Sequence, residues 1–375
     1  MNRAVRDIVN KAYGIVVRFA LASTIKGPVM TTSHLLSADQ PTPAHVQEMQ
    51  ELILAAWMSQ AITAAADLGV ADALHEGPLP IEDLAAKVQA DPDALRRLLR
   101  VLISRGIFVH RHDGRYELNA RAELLRSAAP VSMAALARFV GARQHREHWS
   151  RLTGTIKSGD ATVPALRGKG FFDYLADEPE FAQIFNEAMT SMSGAAIGPV
   201  VDAYDFTPYR TIVDVAGGHG RLLAAVLSAA PDALGVLYDL PEVIEGAMPL
   251  LRDSGVGERV ALSGGSFFDS VPAGADAYLL KHIIHDWDDE PSIQILRTVR
   301  SAAAAGATVL LIEAVIPDDN GASTAKLTDM EMLLVNNGRE RTAEEYRRLL
   351  DDAGFRLTRV VGTAAHVSII EARAT

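Results

Sequence analysis

Beyond Val200 the hydrophobic residues gather in short solid blocks: Ile212 to Val215, Gly235 to Tyr238, Val260 to Leu262, Ala277 to Leu280 and Thr308 to Ile312. Blocks without polar alternation suit strands buried on both faces, and the helical stretches between them predict a doubly wound parallel sheet. Ligands of such sheets bind at the carboxyl ends of the strands. Phe355 to Val361 and His366 to Ile370 read as a closing antiparallel pair. Thr342-Ala-Glu-Glu345 is a capping box that opens a helix over Tyr346 to Asp352, and Gly354 follows it.

The first half has a different rhythm. Leu52, Ile53, Ala56 and Trp57 set an apolar spacing of three and four that continues through Ile62 and Ala66 to Gly69, which predicts a helix. Pro80 to Val88 is a second helix, and Asp91-Pro92-Asp93 opens a third with the acid at the N-cap and proline at the first helical position. Its buried face is Leu95, Leu98, Leu99 and Leu102. Ile107 to Val109 and Tyr116 to Leu118 flank His112-Asp-Gly114, a hairpin signal. Three helices and a hairpin make a winged helix, whose Arg96, Arg97 and Arg100 either read DNA or form the solvated face of their helix. The nearby acids Glu82, Asp83, Asp91 and Asp93 favour the second reading.

Residues 130 to 200 are helical and rich in large apolar side chains, among them Phe139, Trp149, Phe171, Phe181, Phe185, Met189 and Met192. Most such residues build core. Phe185 and Met189 are four apart, hence on one helix face, where a ring and a thioether would suit a flat aromatic ligand. The small residues from Ser191 to Gly198 read as a hinge ahead of the second domain.

Composition narrows the class. The chain has 375 residues, 49% hydrophobic and 22% charged, with a net charge of −11 and no cysteine. That is ample for two domains, disfavours a general nucleic-acid binder, and excludes disulfides, cysteine-ligated zinc and a cysteine nucleophile. Residues 1 to 26 carry Arg3, Arg6, Lys11, Arg18 and Lys26 around a short apolar run that is too short to span a bilayer. They read either as an amphipathic helix on a membrane surface or partner, or as an extension packed on a dimer. The expected layout is an extension and linker over 1–45, a helical winged-helix-like region over 46–200 and a Rossmann-like catalytic domain over 201–375, in a cytoplasmic enzyme.

Candidate chemistry sits at the predicted strand ends. Thr211-Ile-Val-Asp-Val-Ala-Gly-Gly-His-Gly220 is a strand that ends on an acid and breaks into glycines before a helix. A dinucleotide loop needs a third small residue after Gly218 and Gly220, but Arg221, Leu222 and Leu223 follow, so S-adenosylmethionine (SAM) is the better ligand. Asp239, 19 residues past Gly220, either accepts ribose hydroxyls or caps the helix at Pro241. Gly265-Ser266-Phe267-Phe268 offers backbone and an aromatic face to a planar base. The stretch from Lys281 to Glu290 holds His282, His285 and Asp286, which are candidate metal ligands without flanking ligands in a metal pattern. His285, just past a strand end, is the natural general base.

Taken together, Val213 to Gly220, Asp239-Leu240-Pro241, Gly265 to Phe268, Lys281 to Glu290, Glu313 and Gly338-Arg-Glu-Arg-Thr342 resemble the SAM-dependent O-methyltransferases of plant phenolic and bacterial polyketide or anthracycline metabolism, over residues 50 to 373. The resemblance implies a winged-helix-like dimerisation domain, hence a homodimer without nucleic acid, and a Rossmann-like α/β domain that uses no metal. It places Asp214, Gly217, Gly218 and Gly220 at SAM, Asp239 and Leu240 at the ribose, Gly265, Ser266 and Phe267 at the adenine, and Lys281 beside the cofactor. His285 becomes the base flanked by Glu313 and Glu340, while Phe185, Met189 and Met332 line the acceptor pocket. Two departures stand out: Ser266 replaces an acid usual in the family, and Ala216 stands where glycine is common. The implied reaction moves methyl from SAM to a phenol, polyketide or quinol hydroxyl and releases S-adenosylhomocysteine. A hydroxylated polyene or lipid acceptor, and a repurposed hydroxylase or decarboxylase, remain open at this stage.

Overall fold

The structure, a computed structural model, describes residues 40–375. The predicted helix over residues 1 to 26 lies outside the described residues. No helix among those described is long and apolar enough to cross a membrane.

The first helix, Pro43–Asp67, starts within the expected linker because proline suits a first helical turn. A short helix that the sequence did not announce, Val70–Ala73, follows Gly69 in the left-handed region at φ 64°. Helices Ile81–Lys87 and Pro92–Ser104 come next, and the Asp91 carboxylate accepts the Ala94 N–H as its predicted cap. Leu95, Leu99 and Leu102 are buried and Leu98 is half-buried, which matches the amphipathic spacing. Strands β1 (Val109–His110) and β2 (Tyr116–Glu117) pair antiparallel as the hairpin. Arg96 faces Glu82 and Asp93, at 3.5 and 3.3 Å, so it belongs to a solvated ion-pair face.

Short helices lead to Pro179–Ala203, which runs unbroken for 25 residues. The expected hinge at Ser191–Gly198 is therefore corrected: these residues are continuous helix, with Ala196 and Val200 buried in the core below. Phe185, Met189 and Ser193 are spaced by four and share one face of it.

The second half is a seven-stranded sheet in the order β10-β11-β7-β6-β3-β4-β5. Strands β3 (Thr211–Val215), β4 (Leu234–Asp239), β5 (Val260–Gly264), β6 (Ala277–Lys281) and β7 (Thr308–Glu313) are parallel. Between β7 and the last strands a small pair forms from β8 (Val315–Ile316) and β9 (Arg341–Thr342). Strands β10 (Phe355–Gly362) and β11 (Ser368–Ala374) close the sheet antiparallel, β11 lying two residues later than the apolar pattern placed it. Helix Arg221–Ala229 lays Leu222, Leu223 and Leu227 on the sheet, and each such leucine contributes roughly 1.5–3 kcal/mol on burial. The chain steps from β3 outward to β5 and returns to β6 on the other side. That reversal opens the crevice between β3 and β6 where ligands of this architecture bind.

Candidate active site

Two strand ends flank this crevice, and each is followed by a strained residue. Ala216 after β3 and His282 after β6 both adopt φ of 55°, which L side chains rarely hold without support from the surroundings. The turns they make aim the following residues across the crevice.

On the β3 side, Asp214 is 1% exposed and its Oδ2 has no hydrogen-bond partner. Burial pushes its carboxyl up to about 7, against the pull of Lys281. Gly217 stands where no side chain fits, because a Cβ there would lie 2.6 Å from both Asp214 and Leu237, so the loop backbone packs close against them. Gly218 and Gly220 have φ of 60° and 80°, which glycine takes without cost. Asp239 does not cap the helix Pro241–Ile244, whose N-cap is Leu240. Its Oδ2 instead accepts the Gly218 N–H at 2.8 Å and its Oδ1 the Leu240 N–H at 2.7 Å, so the glycine loop and the end of β4 are tied together. Gly265 donates its N–H to the Asp239 carbonyl at 3.0 Å, which draws the β5 loop to the same place. Any side chain on Gly265 would strike the Tyr238 hydroxyl. In that loop Ser266 spends its hydroxyl on the Phe268 N–H, while Phe267, Phe268 and Trp287 meet edge to face. Trp287 was not singled out from the sequence, although it lies in the same polar stretch as His285.

Lys281 ends β6 and donates to Ser193 Oγ at 2.7 Å. Burial pulls its ammonium below the ordinary value, opposed by the charges of Asp214 and Glu313. It thus stands electrostatically between Asp214 on the glycine-loop side and Glu313 on the histidine side of the crevice, and Ser193 links it to the helix face that carries Phe185 and Met189.

The histidine side assembles from three chain segments. His285 follows β6, Glu313 ends the neighbouring β7, and Glu340 precedes β9. His285 Nδ1 lies 2.8 Å from Glu340 Oε1 and 3.9 Å from Glu313 Oε2. Glu313 Oε1 accepts the backbone N–H groups of Ile283 and Ile284 at 3.0 and 2.9 Å, so one carboxylate oxygen holds the loop and the other faces the imidazole. Burial alone would pull the imidazole down, but Glu313 and Glu340 outweigh it and push His285 up to about 10. Burial pushes Glu313 up to about 7, with His285 pulling against it. The donor atoms of His285, Glu313 and Glu340 lie within 4.8 Å of one another. A cation could be bracketed at that spacing, yet Nδ1 and Oε1 already sit at hydrogen-bond distance and share a proton.

The frame around this cluster includes residues given no role from the sequence. Arg341 is fully buried and donates to the carbonyls of Ile284 and Trp287, at 3.1 and 2.9 Å, and to Asp289. Asp329 accepts the Glu340 N–H at 3.0 Å. Gly338 is pressed against the His285 carbonyl, where no side chain fits, and Arg339 donates its N–H to that carbonyl at 2.7 Å.

Of the expected acceptor-lining residues, Phe185 packs on Phe139 and Phe171 at ring distances of 5.5 and 5.1 Å, and Met189 borders the same cluster. Met332 is half-buried on the helix Thr324–Asn336, whose Val335 joins that cluster. A groove of about 980 Å³ runs along the other face of the helix Pro179–Ala203, past Gln183, Asn186, Glu187 and Thr190, and takes in none of the expected site residues.

A glycine loop bound to an acid at the next strand, a buried lysine, and a carboxylate-flanked histidine on a doubly wound sheet define a SAM-dependent methyltransferase. The O-methyltransferase domain model matches residues 149–356 and the O-methyltransferase dimerisation domain model residues 50–144. The phenazine O-methyltransferase PhzM of Lysobacter antibioticus is 40% identical over 323 residues, 86% of this chain and 94% of that protein. The mitomycin biosynthesis 6-O-methyltransferase of Streptomyces lavendulae is 36% identical over 329 residues, 87% and 94% of the two chains. The crystal structure of CalO1, a methyltransferase in calicheamicin biosynthesis in its SAH-bound form, superposes with a TM-score of 0.82 at 34% identity, covering 90% of this chain and all of that one. The chain belongs to the SAM-dependent O-methyltransferase family, with a dimerisation domain ahead of its α/β methyltransferase domain.

Proposed function

We propose that the protein methylates a hydroxyl of a small aromatic acceptor, with His285 as the general base. The observation that carries this reading is the bond from His285 Nδ1 to Glu340 Oε1. When the imidazole is neutral, its remaining proton stays on Nδ1 toward the buried Glu340 carboxylate and the lone pair falls on Nε2, which lies 3.6 Å from Asp286 Oδ1 and can take a proton from an acceptor. Glu313 fixes the loop that carries the ring and adds its charge, so the imidazolium formed on proton removal is stabilised where it forms.

For the cofactor, the unpartnered Asp214 Oδ2, the bare backbone at Gly217 and the Asp239-tethered loop fit a polar ligand held against backbone. Asp214, Gly217, Gly218 and Gly220 would hold its amino-acid end, Asp239 and Leu240 the ribose, Gly265, Ser266 and Phe267 the adenine, with Lys281 alongside. SAM supplies a methyl on a sulfonium, which departs as a neutral thioether. Phe185, Met189 and Met332 would form the acceptor wall. Proton removal by a placed base is worth about 10²- to 10⁴-fold. Holding two reactants in line reaches effective molarities of about 10⁵ to 10⁸ M, so positioning by these walls is the larger share. The phenazine and mitomycin relatives favour an aromatic acceptor over a polyene or lipid.

The active form we propose is a homodimer. Val46, Met49, Ile53 and Trp57 make one stripe on the first helix, 57–73% exposed, and an apolar face of that kind needs a partner. The dimerisation domain match includes most of that helix.

Labelled-SAM transfer to a panel of phenols, quinols, hydroxyphenazines and hydroxycarotenoids tests the acceptor class. His285→Ala should retain SAM binding while turnover falls about 10²-fold or more. Undiminished turnover in that variant would sink the base assignment.

A further inference from the structure

The loop after β6 holds a second imidazole that this chemistry leaves unused. His282 keeps its φ of 55° and its N–H is pinned to the Ile312 carbonyl at 3.2 Å, so the turn is built in rather than incidental. That turn lays its ring beside the ring of His285, with centroids 5.2 Å apart and planes 24° apart. His366, from the connection between β10 and β11, lies against His282 in turn, tilted by 32° with ring centroids 5.5 Å apart. His366 is exposed and His285 largely buried, so the three rings reach from solvent to the catalytic cluster.

One hydrogen bond does not fix a ring. The Nδ1 contact with Glu340 holds His285 at one edge, and Asp286 Oδ1, 3.6 Å from Nε2, is beyond hydrogen-bond length, so neither polar contact sets the tilt of the ring plane. Catalytic groups must hold their direction to within roughly 10–20°. A flat neighbour sets that tilt. The charges around His282 also favour a ring without charge: burial drives its pKa well below the ordinary value, and Lys281, His285 and His366 add to the effect. The acids Glu313, Glu340 and Asp286 bear on His285. A backbone strained at such a place is tolerated when the surroundings impose it.

We infer that His282 is a positioning residue for the proposed base: its ring sets the plane of His285 and so the direction of Nε2. The inference rests on the reading of His285 as base, and its test separates the two. Ring nitrogens of protein labelled with ¹⁵N in histidine are followed by NMR, with His285 assigned from His285→Asn. His282→Asn removes the ring while keeping a residue that tolerates left-handed backbone, and His282→Phe keeps a flat ring. In His282→Asn the His285 signals should broaden or move toward tautomer-averaged values. Its kcat should fall about tenfold, since small misplacements near the chemistry are costly, with the KM for SAM held within about twofold. His282→Phe should restore the His285 signals and bring kcat within about threefold of the parent.

Unchanged His285 signals in His282→Asn overturn the inference, whatever the activity. A His282→Phe protein that behaves like His282→Asn overturns it too, because a flat ring would then not be what His285 needs. Altered signals with unchanged kcat leave the positioning role standing and remove the base role from His285.

Discussion

Glu340 Oε1 stands 2.8 Å from His285 Nδ1 at a site where Glu340 itself is 2% exposed. A carboxylate so placed raises the imidazole and withholds its neutral form until the pH climbs. With His285 pushed up to about 10, kcat should rise with pH through the neutral and mildly alkaline range. Glu340→Gln keeps the shape and removes the charge, so the rise should move to lower pH while the maximum falls. A pH–rate profile that does not move in this variant would place the titrating group elsewhere.

Asp239 bonds Gly218 and Leu240 through different oxygens, so its loss frees the glycine loop as well as any ligand contact. Charge-assisted bonds to backbone are worth about 1.5–3 kcal/mol each. Asp239→Ala should weaken SAM binding by roughly tenfold or more, read by calorimetry. Unchanged affinity would refute the ribose role.

Asp214 gives a pH dependence of stability. Its carboxyl is pushed up to about 7 in the folded protein from an ordinary 3.8, so the folded state binds its proton more tightly. That stabilisation is complete below about 3.8 and is lost as pH rises through about 7. At about 1.36 kcal/mol per unit it amounts to on the order of 4 kcal/mol. Urea unfolding from pH 4.5 to 8.5 should show Asp214→Asn losing less stability than the parent across that interval. Parallel curves would contradict the buried, protonated carboxyl.

Ala216 holds φ of 55° where glycine would be unstrained. Left-handed backbone costs an L residue roughly 1–2 kcal/mol, and glycine's extra freedom in the unfolded chain returns about half of that. Ala216→Gly should therefore raise Tm by about 1–3 °C in calorimetry. A lower Tm would mean that the methyl group packs usefully in the loop.

Regular elements were legible because their signals are local. The solid apolar blocks became β3 to β7, and the Asp91 cap and the Thr342–Glu345 capping box form as read. Ser191–Gly198 misled because small residues are poor evidence by themselves: packing against Leu222 and its neighbours, not propensity, keeps them helical. Within the site, only the resemblance to the family pointed to Glu313 and Glu340, whereas His285 announced itself through residue type and strand-end position. Arg341, Ser193 and His366 did not, since their contacts cross 57, 88 and 84 positions of sequence and exist only after folding. A buried arginine in particular looks from sequence like any surface charge.

The cluster of His285, Glu313 and Glu340 depends on a strand that comes later than all three. β11 pairs with β7 in a register that sets Ser368 opposite Glu313 and Ile369 opposite Ile312. During synthesis, then, β7 stays without this neighbour, and Glu313 without Ser368 opposite it, until β11 has left the ribosome and settled between β7 and β10. Proteolytic trimming past Ser368 would strip β7 of this neighbour while leaving the loops after β3, β4 and β5, toward the other edge of the sheet, in place. Activity in a cell extract is therefore expected to count molecules that keep β11, not shorter folded fragments.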